Sequence, residues 1–81
     1  MQILSRRAAK ELDKLSDSTA KPILSAIAGL SNEPRPRGCE KLKGRDGYRI
    51  RVGSYRVIYD IFDGELIVDV ITLGHRRDIY D

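Results

Sequence analysis

The sequence predicts an α+β domain in which an N-terminal helical hairpin packs on a small antiparallel β-sheet. Apolar residues recur at helical spacing from Ala8 to Leu30, and from Glu40 onward the period changes to two, which is typical of half-buried strands. The pairs Gly53-Ser54 and Asp63-Gly64 suit tight hairpin loops. With 81 residues, 41% of them hydrophobic, the chain is expected to form one domain over residues 1–81.

The first thirty residues predict a short edge strand, "MQILS", followed by two helices. Ser5 is a plausible N-cap for the first helix, and Asp17 is available to cap the second, which has Gly29 near its exit. Pro22 predicts that this helix begins after Asp17, with the proline in its first turn, or that it kinks. A short link makes an antiparallel pair of helices the expected arrangement. The apolar positions at helical spacing are Ala8, Leu12 and Leu15, then Ile23, Ile27 and Leu30.

The second half predicts a three-stranded antiparallel meander over Tyr48–Val52, Tyr55–Phe62 and Glu65–Leu73. If Gly53 and Ser54 form the first loop, Arg51 lies directly opposite Arg56. Side chains alternate between faces, so the face that the helices cover carries Ile50, Val52, Tyr55, Val57, Tyr59, Ile61, Leu66, Val68 and Val70. The other face carries Arg49, Arg51, Arg56, Asp60 and Asp69, with Ile58, Ile67 and Ile71 among them.

Positive charge is concentrated between Arg35 and Arg56, where eight basic residues face only Glu40 and Asp46, although the whole chain carries a net charge of +3. Such a block favours a polyanionic partner, and the alternative is a solvated charged loop. Like charges placed opposite each other weaken a sheet by about 0.2–1 kcal/mol. The Arg51–Arg56 pair therefore predicts an anion site, unless these side chains splay into solvent or pair with Asp60 and Asp69.

The closing segment "GHRRDIY" is predicted to bring further functional groups close to Arg51 and Arg56. Guanidinium groups can hold a phosphate and stabilise charge that develops in a transition state. An imidazole or a phenol could move protons. The side chains that this segment contributes are His75, Arg76, Arg77 and Tyr80.

Several classes of protein are disfavoured by composition. Cys39 is the only cysteine and His75 the only histidine, so neither a disulfide framework nor a zinc site is expected. No cofactor is expected. No apolar run approaches the length of a membrane span, and no signal peptide opens the chain, so a cytoplasmic protein without membrane contact is expected.

The stretch "LKGRDGYRIRVGSYRVIYDI…LIVDVITLGHRRDIY" resembles the RelE branch of the RelE/ParE toxin superfamily, and the resemblance covers essentially the whole chain. It implies the toxin of a type II toxin–antitoxin system that cleaves messenger RNA on the ribosome, without metal, by attack of a ribose 2′-hydroxyl on the adjacent phosphate. The implied partners are a cognate antitoxin, the ribosome and its mRNA, with operator DNA contacted only through the antitoxin complex.

Carried over by position, the resemblance implies that Arg56 and Arg76 bind the scissile phosphate and that Tyr80 orients the 2′-hydroxyl or stacks on a base. Arginines replace the lysines that some relatives carry at positions 49 and 51, and an arginine does not release its proton. The general base is therefore His75, Tyr80 or a ribosomal group. Residues expected to contact RNA are Arg49, Arg51, Lys41, Lys43, Arg45 and Arg77.

Two other hypotheses for the function of this fold stay open. One is a ParE-like toxin that inhibits DNA gyrase by binding, with no chemistry of its own. The other is a binding module whose basic face only docks an acidic partner such as an antitoxin. Cleavage of mRNA on translating ribosomes and inhibition of gyrase supercoiling separate the enzyme from both.

Overall fold

The computed structural model describes residues 2–44, 46–65 and 67–75, and these residues form two helices and one five-stranded sheet. The predicted α+β class is therefore confirmed. In chain order the elements are β1 (Gln2–Leu4), α1 (Arg6–Asp13), α2 (Asp17–Gly29), β2 (Glu40–Lys41), β3 (Tyr48–Val52), β4 (Tyr55–Phe62) and β5 (Ile67–His75).

The strand order across the sheet is β1-β5-β4-β3-β2. β3, β4 and β5 form the predicted antiparallel meander. The sheet as a whole is mixed, because β1 pairs with β5 in parallel, whereas β2 pairs with β3 antiparallel. The opening segment is an edge strand, as predicted. The two-residue β2 was not predicted, since it is too short to show a period of two.

Both helices begin after a serine. The Ser5 hydroxyl accepts from the amide of Ala8 and so caps α1 as predicted. The capping position of α2 is Ser16, so the prediction that Asp17 is the cap was wrong by one residue. Asp17 instead lies in the first turn, where a carboxylate interacts favourably with the helix dipole. Pro22 lies inside this helix rather than in the first turn of a later one.

The first hairpin has the predicted register. Val52 pairs with Tyr55 and Arg51 with Arg56, and Gly53 has a φ of +61°, a conformation that glycine adopts without steric cost. The second turn differs from the prediction. A single 3₁₀ turn at Asp63–Glu65 replaces the two-residue loop, Phe62 pairs with Ile67, and the strand runs from Ile67 to His75 rather than from Glu65 to Leu73.

The core lies between the helices and one face of the sheet. Helix residues Ala8, Leu12, Ile23, Ile27 and Leu30 pack against the sheet residues Ile50, Val57, Tyr59, Val68, Val70 and Leu73. The second hairpin is displaced by two residues from the predicted register, and an even displacement leaves every side chain on its face. For this reason Val68 and Val70 are buried as predicted. Leu66, predicted on the same face, lies outside the described residues.

A β-bulge divides β5 into two halves. Tyr59 pairs with Val70, but the preceding residue Ile58 pairs with Thr72, so Ile71 is the extra residue on β5. A single inserted residue reverses the alternation of faces beyond it. As a result Leu73 enters the core, and Gly74 pairs with Arg56.

Candidate functional site: the arginine face of the sheet

Three arginines lie on the sheet face that is turned away from the helices. Arg51 and Arg56 are direct cross-strand partners, a position that brings Cβ atoms to within about 4.5–5.5 Å of each other. Arg51 is exposed and Arg56 half-buried. On the other side of Arg56 the partner is Gly74, which has no side chain. The arrangement therefore places two guanidinium groups next to a residue without a side chain.

Arg49 occupies the next row of this face, opposite Ile58. Ile58 is only 1% exposed, although it lies outside the main core cluster. Its flanking residues on this face include Arg49 and Arg56, and arginine side chains cover apolar surface along their methylene stems. The ladder therefore places these arginines where their stems can cover Ile58.

Glu40 holds the guanidinium of Arg49. The two side chains form an ion pair of 2.8 Å between Arg49 Nη2 and Glu40 Oε2, and the Arg49 side chain is only 13% exposed. The pair depends on β2, since Glu40 lies directly opposite Arg49 in the ladder. Sequence reasoning missed Glu40 because it missed the strand that carries it.

The predicted RNA-contacting residues in the described part of the chain line two separate grooves. Lys41, Lys43 and Arg49 line one groove of about 270 Å³ together with Glu40. Arg51 lines another, of about 290 Å³, with Glu33 and Arg37 from the loop after α2. Basic side chains therefore line one groove beside β2 and another between Arg51 and the end of α2.

The His75 side chain lies on the face of the sheet opposite to that of Arg51 and Arg56, although the residue directly follows Gly74, the ladder partner of Arg56. It pairs with Tyr55, and the two rings meet edge to face with centroids 5.5 Å apart. Both line a cavity of about 310 Å³ with Arg7, Glu11 and Leu15 of the α1 region. The bulge at Ile71 is the cause, because it directs His75 to the helix side of the sheet.

The remaining predicted site residues lie outside the described residues. They are Arg45, Arg76, Arg77 and Tyr80. Their predicted roles stay predictions.

The far end of the arginine face is acidic and apolar. Asp60 pairs with Asp69, and Asp69 in turn pairs with Ile3 of β1. Asp60 is the fourth residue after Arg56 along the strand, about 13 Å of extended chain away. The register therefore keeps the acidic row apart from the Arg51–Arg56 pair.

A polar clamp fixes the loop that precedes β2. Arg35 makes two hydrogen bonds to the Asp63 carboxylate, of 3.1 and 3.0 Å, and donates to the Tyr48 hydroxyl at 3.2 Å. Its hydrogen bonds to Asp63 and Tyr48 raise the pKa of Arg35, and the same contact with Arg35 lowers the pKa of Asp63. The clamp joins the loop to the turn between β4 and β5.

Tyr59 anchors the same loop from within the core. It is fully buried, and its hydroxyl donates to the Pro34 carbonyl at 2.7 Å. Burial, followed by the neighbouring Cys39, raises the pKa of Tyr59, so it stays a hydrogen-bond donor. The ring also stacks on Tyr48 with centroids 5.9 Å apart. Two tyrosines of the sheet thus position the loop that carries Arg37.

No helix in the described part of the chain is long and apolar enough to cross a membrane. Within that same part, no three His, Cys, Asp or Glu side chains are grouped as a metal site would require.

The fold and this face define a class: a small α+β protein with a helical pair on one side of a sheet and an arginine cluster on the other. Residues 3–80 match the family model of the ParE toxin of type II toxin–antitoxin systems, parDE. The chain belongs to the RelE/ParE superfamily of toxins, and it is of the RelE type.

Individual relatives agree with this assignment. The mRNA interferase toxin RelE of Escherichia coli is 33% identical over 74 residues, which cover 88% of this chain and 77% of the relative. The archaeal RelE–RelB complex of Pyrococcus horikoshii superposes with a TM-score of 0.84 at 28% identity, covering 96% of each chain. The RelBE toxin–antitoxin complex of E. coli superposes with a TM-score of 0.79 at 30% identity, covering 91% of this chain and 93% of the other.

Proposed function

We propose that this protein is the toxin of a type II toxin–antitoxin pair and a ribosome-dependent mRNA endoribonuclease. Family membership and the E. coli relative named as an mRNA interferase support the activity. The observation that carries the proposal is the direct pairing of Arg51 with Arg56 on the face opposite the helices. Two adjacent guanidinium groups are costly for a sheet, whereas they suit a phosphodiester.

The proposed reaction is an internal transesterification. The ribose 2′-oxygen attacks the adjacent phosphorus while the bond from phosphorus to the 5′-oxygen breaks. The products are a 2′,3′-cyclic phosphate and a free 5′-hydroxyl. One proton leaves the 2′-hydroxyl and one is delivered to the departing 5′-oxygen, so the step needs a base and an acid but no redox partner.

In this proposal Arg56 and Arg76 hold the scissile phosphate and stabilise the charge that develops on its oxygens. Arg49 and Arg51 line the anion site, and Arg45 and Arg77 with the two lysines of the β2 region extend it along the RNA. Tyr80 orients the 2′-hydroxyl or stacks on an unpaired base. The base is Tyr80, His75 or a group of the ribosome.

The proposed partners are a cognate antitoxin, the ribosome and its mRNA. The Pyrococcus horikoshii and E. coli structures are toxin–antitoxin complexes, which supports an antitoxin here. Operator DNA would be contacted only through that complex. We place the protein in the cytoplasm, where ribosomes are, and propose that residues 1–81 act as one toxin domain.

The test is cleavage of mRNA on purified ribosomes. Wild-type protein is added to ribosomes with a defined codon in the A site, and the cut is mapped by primer extension. The expected products carry a cyclic phosphate and a 5′-hydroxyl. Uncut mRNA in the presence of folded protein would contradict the proposal.

The ParE-like alternative is favoured by the family model itself, which is that of ParE toxins. In that case the protein inhibits gyrase by binding. The same preparation is therefore assayed for inhibition of DNA supercoiling by gyrase. Inhibition without mRNA cleavage would select the alternative.

A further inference from the structure

We propose that Ser5 is a positioning residue for the phosphate site, because it holds the bulge that places Gly74 beside Arg56. The inference rests on the proposed function and concerns the same site. Ser5 lies on the helix side of the molecule, at the start of α1. Its effect on the arginine face would be transmitted through the backbone of β5.

Ser5 makes four hydrogen bonds at the point where β1 ends, and one of them is the helical bond from the Ala9 amide to its carbonyl. Its amide donates to the carbonyl of Val70 at 2.9 Å. Its hydroxyl donates to the carbonyl of Ile71 at 2.5 Å and accepts from the amide of Ala8 at 3.0 Å. One hydroxyl therefore caps the helix and binds the extra residue of the bulge at the same time.

Ser5 supplies a partner for the bulge. An inserted residue is left out of the regular ladder between two strands, so its carbonyl bonds to a group outside that ladder or to water. The Ile71 carbonyl obtains its bond from Ser5, 66 residues away in the chain. Without that bond the bulge is held only by the burial of Leu73, which a regular ladder with Ile71 opposite Ile58 would move out of the core.

A regular ladder would change the residue beside Arg56. With Tyr59 and Val70 as the fixed pair, removal of the bulge moves each later partner by one position, and Leu73 would take the place of Gly74 opposite Arg56. A leucine side chain would then project next to the guanidinium of Arg56. The bulge thus keeps apolar bulk away from the proposed phosphate position.

The two roles of Ser5 can be separated by substitution. Threonine retains a hydroxyl that both donates and accepts. Aspartate caps a helix about as well as serine, but an ionised carboxylate cannot donate to the Ile71 carbonyl. Ser5→Asp therefore keeps the cap and removes the bulge bond, whereas Ser5→Thr keeps both.

The experiment compares wild type, Ser5→Thr and Ser5→Asp in single-turnover cleavage of ribosome-bound mRNA, at a temperature where unfolding curves show each variant to be folded. We expect Ser5→Thr to cleave at the wild-type rate and Ser5→Asp to be slower by about tenfold or more, the scale of a small displacement in an active site. A merely structural role would lower the unfolding midpoint of Ser5→Asp and leave its rate unchanged. That result would overturn the inference.

A second measurement tests the register between β4 and β5 independently of cleavage. Cross-strand nuclear Overhauser effects between the backbone protons of Arg56 and Gly74 are recorded for the same three proteins. They should be present in wild type and Ser5→Thr and weakened in Ser5→Asp. Failure of the wild-type protein to cleave mRNA would contradict the proposed function. If the nuclear Overhauser effects between Arg56 and Gly74 are the same in Ser5→Asp as in wild type, only the role of Ser5 is contradicted.

Discussion

Arg51 and Arg56 are directly opposite each other in the β3–β4 ladder, on the face of the sheet that the helices do not cover. Gly74 continues the same row on β5. The row brings like charges together where a stable sheet would separate them. The proposed phosphate site would account for this pairing.

Arg56→Ala should leave the fold intact and disable the site. The substitution removes the repulsion between Arg51 and Arg56, which stabilises the fold, and it exposes Ile58, which destabilises it. Because these two effects oppose each other, the free energy of unfolding should change by no more than about 1 kcal/mol. Cleavage should fall by about 10²-fold or more, the scale of removing one transition-state charge stabiliser. Urea unfolding and single-turnover cleavage measure the two effects. Arg6→Ala, which removes the same charge from an exposed position on α1, should cleave normally; equal losses in both variants would show a general effect of charge.

The general base can be sought with His75→Gln and Tyr80→Phe, each assayed for cleavage across pH. His75 packs against Tyr55 on the helix side of the sheet, so we expect His75→Gln to keep the rate within a few-fold and the shape of the pH profile. Tyr80→Phe should lower the rate, since it removes the other candidate. Loss of the acidic limb of the profile in His75→Gln alone would instead establish the imidazole as the base.

The Arg35–Asp63 clamp should contribute stability that depends on pH. Contact with Arg35 lowers the pKa of Asp63 in the folded protein, so the contribution is present above the unfolded pKa of an aspartate, about 3.9, and is lost as the pH falls through the lower folded value. Asp63→Asn should therefore unfold at a lower urea concentration than wild type at pH 7. This difference should shrink toward pH 3 and below.

Glu65→Gln is the matched control for the clamp, because Glu65 is an exposed acid in the same 3₁₀ turn. It should unfold like wild type at pH 7. If wild type and Asp63→Asn still differ by the same amount in urea midpoint at low pH, the ion pair is not the cause of that difference.

Tyr59→Phe should destabilise the protein without touching the arginine face. The hydroxyl donates to the part-buried Pro34 carbonyl, and loss of a hydrogen bond of this kind costs about 0.5–1.5 kcal/mol. Equilibrium urea unfolding measures the loss. Tyr55→Phe, at a half-buried tyrosine of the same strand, should cost less; equal costs would argue against a special role for the Pro34 bond.

Much of the fold could be predicted because its signals are local. The period of apolar residues separates helices from strands, and Gly53 at a position of positive φ sets the first hairpin. The Arg51–Arg56 pairing follows from that hairpin by counting. The second turn could not be predicted as reliably, because Asp63-Gly64 suits a two-residue loop as well as the 3₁₀ turn that forms.

The sequence by itself determined the α+β class, the helix-covered face of the sheet and the cross-strand pair of arginines, since each depends on residues close together in the chain. Only the tertiary structure decided the parallel pairing of β1 with β5, the Glu40–Arg49 ion pair and the bulge at Ile71. These depend on contacts between distant segments, such as the Ser5 hydroxyl on the Ile71 carbonyl. An alternating pattern of apolar residues does not show where a single inserted residue interrupts it. The inserted residue here is Ile71, and it places the His75 side chain on the face opposite the arginines.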